Sequence, residues 1–310
     1  MKISTTTGVL LTNSESERLR DIPEIMKLLK EVGFEALDMS FCMHDRPNYI
    51  LAGDDWERRI HEIGETAAEL GLELYQSHVP FVSGAAMAHN QKFRDPDYRS
   101  YFDECLRRAC IANGILGVKW AVGHPLTFPE LNYERKASLD ANRAYYDSFV
   151  ELCIKNGTGF AFENALPNLA RKHSVRYCQH YDELIELVDS YADPMVGICW
   201  DTGHANQMEL DQGRAIRMIG DLLKVLHIND NHYGTRDEHL LPFMGKVNWN
   251  AVIDALVEIE YQGTLNYETV VMTRQAYGEI QMELVRAICN NGVLLRQMYE
   301  KARQAMGTKL

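Results

Sequence analysis

The chain alternates between two hydrophobic rhythms. Apolar residues recur three and four positions apart, then run together for several positions, with a glycine at the change. Ile22, Ile25, Leu29 and Val32 keep helical spacing up to Gly33, and the run ALDMSF follows. Trp56, Ile60, Ile63, Ala67 and Leu70 do the same up to Gly71, ahead of LELYQSH. Gly157 opens GTGFAFEN and Gly263 opens GTLNYET in the same grammar. Such a glycine suits the left-handed residue that ends a helix and turns the chain straight into a strand.

Followed along the chain, the pattern predicts strands at 2–8, 35–40, 72–77, 117–122, 158–163, 195–200, 223–228 and 264–268. A helical segment follows each, near 21–32, 54–70, 96–113, 134–155, 179–190, 211–220, 249–259 and 274–305. Strands that read as short apolar runs are buried on both faces, as in a parallel sheet. Eight βα units in 310 residues predict an α/β fold, a (β/α)8 TIM barrel forming one domain over 1–310. A doubly wound sheet is the competing arrangement. No linker or low-complexity stretch divides the chain.

Composition narrows the function classes. Hydrophobic residues are 46% and charged residues 25%, ordinary for a globular chain and against wholesale disorder. Forty-four acids against 32 lysines and arginines give a net charge of −12, which disfavours nucleic acid as a partner. The seven cysteines are odd in number and contain no CxxC pair, so neither a disulfide framework nor a thiolate zinc site is expected. The opening MKISTTTGVLL lacks the long apolar core of a signal peptide, and no stretch approaches the roughly 18 apolar residues of a membrane span. The expectation is a cytoplasmic protein with no membrane partner.

Active sites of such barrels lie at the C-terminal ends of the strands. There the sequence places His78 after strand three, His124 after strand four and Glu163 at the end of strand five. Asp201 and His204 follow strand six, His227 and Asp230 lie on strand seven, and Glu268 ends strand eight. A single histidine at a strand end more often bonds a loop than binds a metal. Acids gathered at one mouth, however, repel each other unless a cation sits between them. Mixed carboxylate and imidazole donors suit Mn²⁺, Co²⁺, Zn²⁺ or Mg²⁺.

The order Glu-Asn, Asp-Thr-Gly-His, His-x-x-Asp, Asp-x-His-Leu-x-Pro-x-x-Gly and a final strand-end Glu resembles the xylose isomerase-like TIM-barrel superfamily. That group includes sugar isomerases, ketose 3-epimerases, hydroxypyruvate isomerase-like and inosose dehydratase-like enzymes, and endonuclease IV. The resemblance implies that Glu163, Asp201, His227 and Glu268 hold one divalent metal, with Mn²⁺ placed first. It also implies that Glu163 and Glu268 are the catalytic acid/base pair. Substrate contacts are expected from His78, His124, His204, Arg236 and His239. The chain departs from the family pattern at Pro242-Phe243-Met244-Gly245, where the family reads Pro-Gly-x-Gly, and leaves the turn there open.

The implied chemistry is a metal-dependent sugar isomerase or epimerase. A metal on the carbonyl and adjacent hydroxyl stabilises an enediolate, and two carboxylates take and return the proton. The partner would be a small sugar or sugar-like keto-polyol, unphosphorylated because no glycine-rich loop opens a helix. A lyase of the same superfamily, dehydrating a keto-polyol or cleaving an oxidised C-glycoside, is the nearer alternative. An abasic-site endonuclease is the sharper one, since His78, His124, Glu163, Asp201, His204, His227, Asp237, His239 and Glu268 match its trinuclear zinc ligands by type. Against it, loops 41–53 and 79–95 carry only Arg46, Lys92 and Arg94 as cations. A non-catalytic sugar-binding barrel would not need paired glutamates around a metal.

Loops 41–53 and 79–95 are long for barrel connections and are expected to act as lids. Phe41, Phe81, Trp120 and Phe128 lie near the expected mouth, either to stack on a ligand or to join the core. The stripe Leu284, Ile288, Leu295 and Met298 on the last helix reads as core or as a homo-oligomer interface.

Overall fold

A computed structural model describes residues 1–12, 19–81, 95–127, 133–167, 175–234 and 236–307. Phe128, Lys92 and Arg94, and all but the ends of loop 79–95, lie outside the described residues. Within them the expected strands form at Ile3–Thr6 (β1), Ala36–Ser40 (β2), Glu73–His78 (β3) and Trp120–Gly123 (β4). They continue at Gly159–Glu163 (β5), Val196–Asp201 (β6), Leu223–His227 (β7) and Leu265–Tyr267 (β8). All paired neighbours run parallel, in the order β7-β6-β5-β4-β3-β2-β1-β8. The ends meet where Ile228 N–H donates to Asn266 O at 2.7 Å and Glu268 N–H to Ile228 O at 3.1 Å. A (β/α)8 barrel results.

The glycine grammar works as a switch at Gly33 and Gly71, whose φ of 117° and 59° end the helices Ile22–Val32 and Trp56–Leu70. It fails at Gly263. The helix Trp249–Glu258 hands the left-handed position to Glu260, at φ 52°. Gly263 is required for another reason, because a Cβ there would overlap the Tyr261 side chain.

Inside the barrel, side chains of one strand face alternate every two residues. Ala36, Tyr75, Val122, Ala161, Cys199 and Val225 form an apolar floor with Trp120 against it. Trp120 therefore sits at the N-terminal end of β4, opposite the expected mouth. The strand starts later than expected because Gly117 (φ 66°) and Val118 still belong to the helix cap. Phe41 is likewise no ligand platform: it is fully buried in the main core.

Loop 41–53 is pinned rather than loose. Tyr49 and Leu51 are buried, the Tyr49 hydroxyl donates to Phe41 O, and Arg108 donates to Leu51 O and Gly53 O. The last helix, Gly278–Gly307, uses its stripe as core, with Ile288 and Leu295 fully buried and Gly292 against Ile3 and Tyr267. Among the described residues no helix is long and apolar enough to cross a membrane.

Candidate metal centre

Two residues beyond the apolar floor, each inward position turns polar. Ala36 gives way to Asp38, Val122 to His124, Ala161 to Glu163, Cys199 to Asp201 and Val225 to His227. The period of the strand thus converts a dry floor into a ring of donors at the C-terminal mouth. Glu163, Asp201, His227 and Glu268 each bring one ligand atom into a set lying within 4.8 Å of one another.

The donors are arranged for a cation. Glu163 is 1% exposed, with His124 Nε2 2.9 Å from Oε2 and His227 Nδ1 3.1 Å from Oε1. Yet neither carboxylate oxygen has a properly directed hydrogen bond, and neither does either ring nitrogen of His227. Buried polar atoms in that condition are costly unless something else satisfies them. A divalent cation bound by two glutamates, an aspartate and an imidazole fits that demand for the atoms facing it. His227 also stands 3.5 Å from Glu268 Oε2.

Asp201 is held by its neighbours. Asn164 Oδ1 accepts its N–H, Asn229 Nδ2 donates to Oδ2 at 2.8 Å, and Oδ1 caps the short helix Thr202–Gln207 through His204 N–H at 2.7 Å. That helix, unexpected from the sequence, is how the Asp-Thr-Gly-His motif carries His204 back over the site. A Cβ on Gly203 would overlap Asn229 Oδ1, which explains the glycine.

The carboxyls and imidazoles polarise one another. Burial works to raise Glu163, but His227 and His124 outweigh it and hold the carboxyl well below its usual range. Burial lifts Glu268, only partly opposed by His227 and His239. His227 is pushed well up against its burial by Cys199, Glu163 and Glu268. His124 moves the other way, lowered by burial despite Glu163. His239 resists its burial through Asp237, 2.7 Å from Nε2, and rises to about 10.

Every expected site residue except Arg236 faces the same mouth. His78 Nε2 is 3.0 Å from His124 Nε2 and 3.4 Å from Glu163 Oε2, and its ring stacks on His227. His204 Nδ1 lies 2.8 Å from Asn164 O and 3.4 Å from Glu163 Oε1. His239 Nδ1 is 2.6 Å from Glu268 O, bracing the end of β8. Phe81 covers His78 and His124 at ring distances of 5.1 and 4.8 Å, so it is the one expected aromatic described at the mouth. Arg236 is exposed, and its carbonyl accepts from Gln207.

Asp230 belongs to the scaffold. Its carboxylate accepts from Asn231, Phe243 and Val247 N–H and from Trp249 Nε1. Those bonds form the turn that the family-divergent segment left open. Phe243 adopts the left-handed conformation (φ 73°) and is 54% exposed, while a Cβ on Gly245 would overlap Asp230 Oδ1 and Asn231 O. Gly245→Ala is therefore expected to destabilise the protein by about 1–3 kcal/mol. Phe243→Gly relieves a left-handed non-glycine residue costing about 1–2 kcal/mol and is expected to leave stability equal or higher. Urea unfolding of both variants checks the pair, and the reverse ordering would contradict this account of the turn.

Asp38 was missed by the sequence reading. It lies in the middle of β2, 1% exposed, with Oδ2 3.5 Å from His227 Nε2. The only signal was an acid inside the run ALDMS.

The family model described as xylose isomerase-like TIM barrel matches residues 26–287. The chain is 32% identical over 264 residues to the uncharacterized protein y4fM of Sinorhizobium fredii, covering 79% of each chain. It is 25% identical over 272 residues to the D-psicose 3-epimerase of Enterocloster bolteae, covering 86% of this chain and 82% of the relative. The crystal structure of IOLI protein with a binding zinc atom shares the fold at a TM-score of 0.71 and 16% identity, over 97% of this chain and 99% of that one.

Proposed function

The chain belongs to the xylose isomerase-like TIM-barrel family, and on that footing we propose that it is a divalent-metal-dependent sugar epimerase or isomerase. The observation that carries this reading is the convergence of Glu163, Asp201, His227 and Glu268 on one point, with two of the four being glutamates. Relatives named as sugar epimerases support the substrate class. Mn²⁺ is the first candidate ion, with Co²⁺, Mg²⁺ and Zn²⁺ compatible with the same donors.

A bound cation would stabilise the negative charge that develops on the substrate oxygens as a proton leaves the neighbouring carbon. The protein supplies the proton transfers. Glu163, flanked by His124 and His227, takes the proton from the carbon beside the carbonyl through one carboxylate oxygen. Glu268, across the site, returns a proton from its own carboxyl. Return to the opposite face of the same carbon inverts the centre; return to the neighbouring carbon interchanges aldose and ketose. Histidines 78, 124, 204 and 239 line the remaining mouth and orient hydroxyls, while Phe81 keeps water from the reacting carbon.

The test is a panel of unphosphorylated ketopentoses and ketohexoses in D₂O with protein loaded with each candidate ion. The expected result is deuterium at the carbon next to the carbonyl in at least one sugar, with its epimer or aldose appearing. An elimination product with retained activity would move the assignment to a lyase.

One observation favours a second reading. His78, His124 and Glu163 also bring ligand atoms within 4.8 Å of one another, and Asp237 bridges towards His204 and His239. Three zinc ions could be held by these six residues together with Asp201, His227 and Glu268, as an abasic-site endonuclease requires. The net charge of −12 opposes it, because duplex DNA is bound through many lysine and arginine contacts to phosphate.

A further inference from the structure

We infer, resting on the metal reading above, that Asp38 is a positioning residue which fixes the imidazole of His227 with Nδ1 turned to the cation. One carboxylate oxygen of Asp38 is the common focus of three nitrogen groups. Asp38 Oδ2 accepts from Gln76 Nε2 at 3.3 Å on β3 and from Asn266 Nδ2 at 3.1 Å on β8. Asn266 Oδ1 accepts from the Ser4 hydroxyl at 2.8 Å, an arrangement that turns its NH₂ towards Asp38. Both neighbours therefore present N–H groups to Asp38, and the third neighbour is His227 Nε2 at 3.5 Å.

His227 has two distinct edges. Nδ1 faces Glu163 Oε1 at 3.1 Å and Glu268 Oε2 at 3.5 Å, inside the donor ring. Nε2 faces Asp38 Oδ2 at 3.5 Å, within ion-pair distance though not a directed hydrogen bond. A neutral imidazole that ligates through one nitrogen carries its proton on the other, and an acceptor beside that proton selects the tautomer and holds the ring plane. Asp38 supplies that acceptor from the middle of β2, with Gln76 and Asn266 fixing the carboxylate in turn. Burying an acid among apolar neighbours is costly without such partners. A carboxylate at this depth would have no reason to be there in a purely structural floor, where Ala36, Val122 and Ala161 suffice.

Asp38→Asn separates positioning from packing. The amide keeps the size, and with its oxygen in the Oδ2 position still accepts from Gln76 and Asn266, but it presents His227 Nε2 with a neutral, weaker acceptor in place of a carboxylate. The expected result is a loss of zinc affinity of about 10–100-fold in a competition titration of the metal-free protein. The unfolding midpoint of that metal-free variant should match wild type. In zinc-loaded wild-type protein, long-range ¹H–¹⁵N correlation spectra, with His227 identified by its loss in His227→Gln, should show Nε2 protonated. This second measurement decides the matter even where Asp38→Asn fails to fold. Unchanged zinc affinity in the variant, or a proton on Nδ1 in loaded wild type, overturns the role of Asp38 alone. Failure of the wild type itself to bind zinc removes the metal reading and this inference with it.

Discussion

Under the proposed function, Glu163→Gln is expected to suppress the entry of solvent deuterium at the carbon beside a ketose carbonyl. The expected loss is about 10²–10⁴-fold, the range a positioned acid or base contributes. The amide keeps the shape of the side chain and one oxygen donor, so packing in β5 survives. It cannot accept a proton. The environment of Glu163 makes the change specific, because His124 and His227 stand 2.9 and 3.1 Å from its oxygens and hold it ionised. Neutralising it also leaves those imidazoles without their anion in a buried site. Glu268→Gln is expected to give a loss of the same order, since one carboxylate must take the proton and the other return it. Exchange is read by NMR of recovered sugar. Undiminished exchange in both variants would remove the two-glutamate mechanism.

The second large effect is on stability. Glu163, Asp201 and Glu268 lie close together, and Glu163 and Asp201 add to the burial that pushes Glu268 up, so these carboxylates work against one another when no cation is present. A metal that binds only the folded chain stabilises it by RT ln(1 + [L]/Kd), about 2.7 kcal/mol at a hundredfold excess over Kd. Chelator-treated protein is therefore expected to unfold at a lower temperature than reloaded protein and to have no exchange activity. His227→Gln should abolish most of the rise on reloading, because it removes the single nitrogen donor of the set. Scanning calorimetry with and without added ion reads both. An equal midpoint in the presence and absence of every ion would show that these donors satisfy one another without a cation.

Much of this was legible in the sequence because barrel strands announce themselves. A fully apolar run after a helical period, ended by His, Asp or Glu, gave both the strand and the ligand at its tip for β5, β6 and β7. What hid was the direction of side chains. In β3 an extra residue, Tyr75, interrupts the pairing between Leu37–Leu74 and Asp38–Gln76, so inward and outward positions cannot be counted from the sequence alone. Asp38 was hidden for another reason: every residue of β2 is buried, so its inward positions do not stand out in the run ALDMS. Trp120 was misplaced because helix cap and strand share the run GVKWAV, and only the left-handed Gly117 divides them. The turn at Phe243 was illegible from its departure from the family pattern. Asp230 gathers the backbone N–H groups of the loop, and that carboxylate, more than the residue at 243, holds the turn.

The proposed function rests on one divalent cation held by Glu163, Asp201, His227 and Glu268. Metal content per chain is read by mass spectrometry of protein purified without chelator or affinity-tag metal. One equivalent of Mn, Co, Mg or Zn is expected, lost in the Glu163→Gln/His227→Gln double variant. Close to three zinc ions per chain would contradict the single-metal account in favour of the nuclease, and no metal after incubation with each ion would contradict it outright.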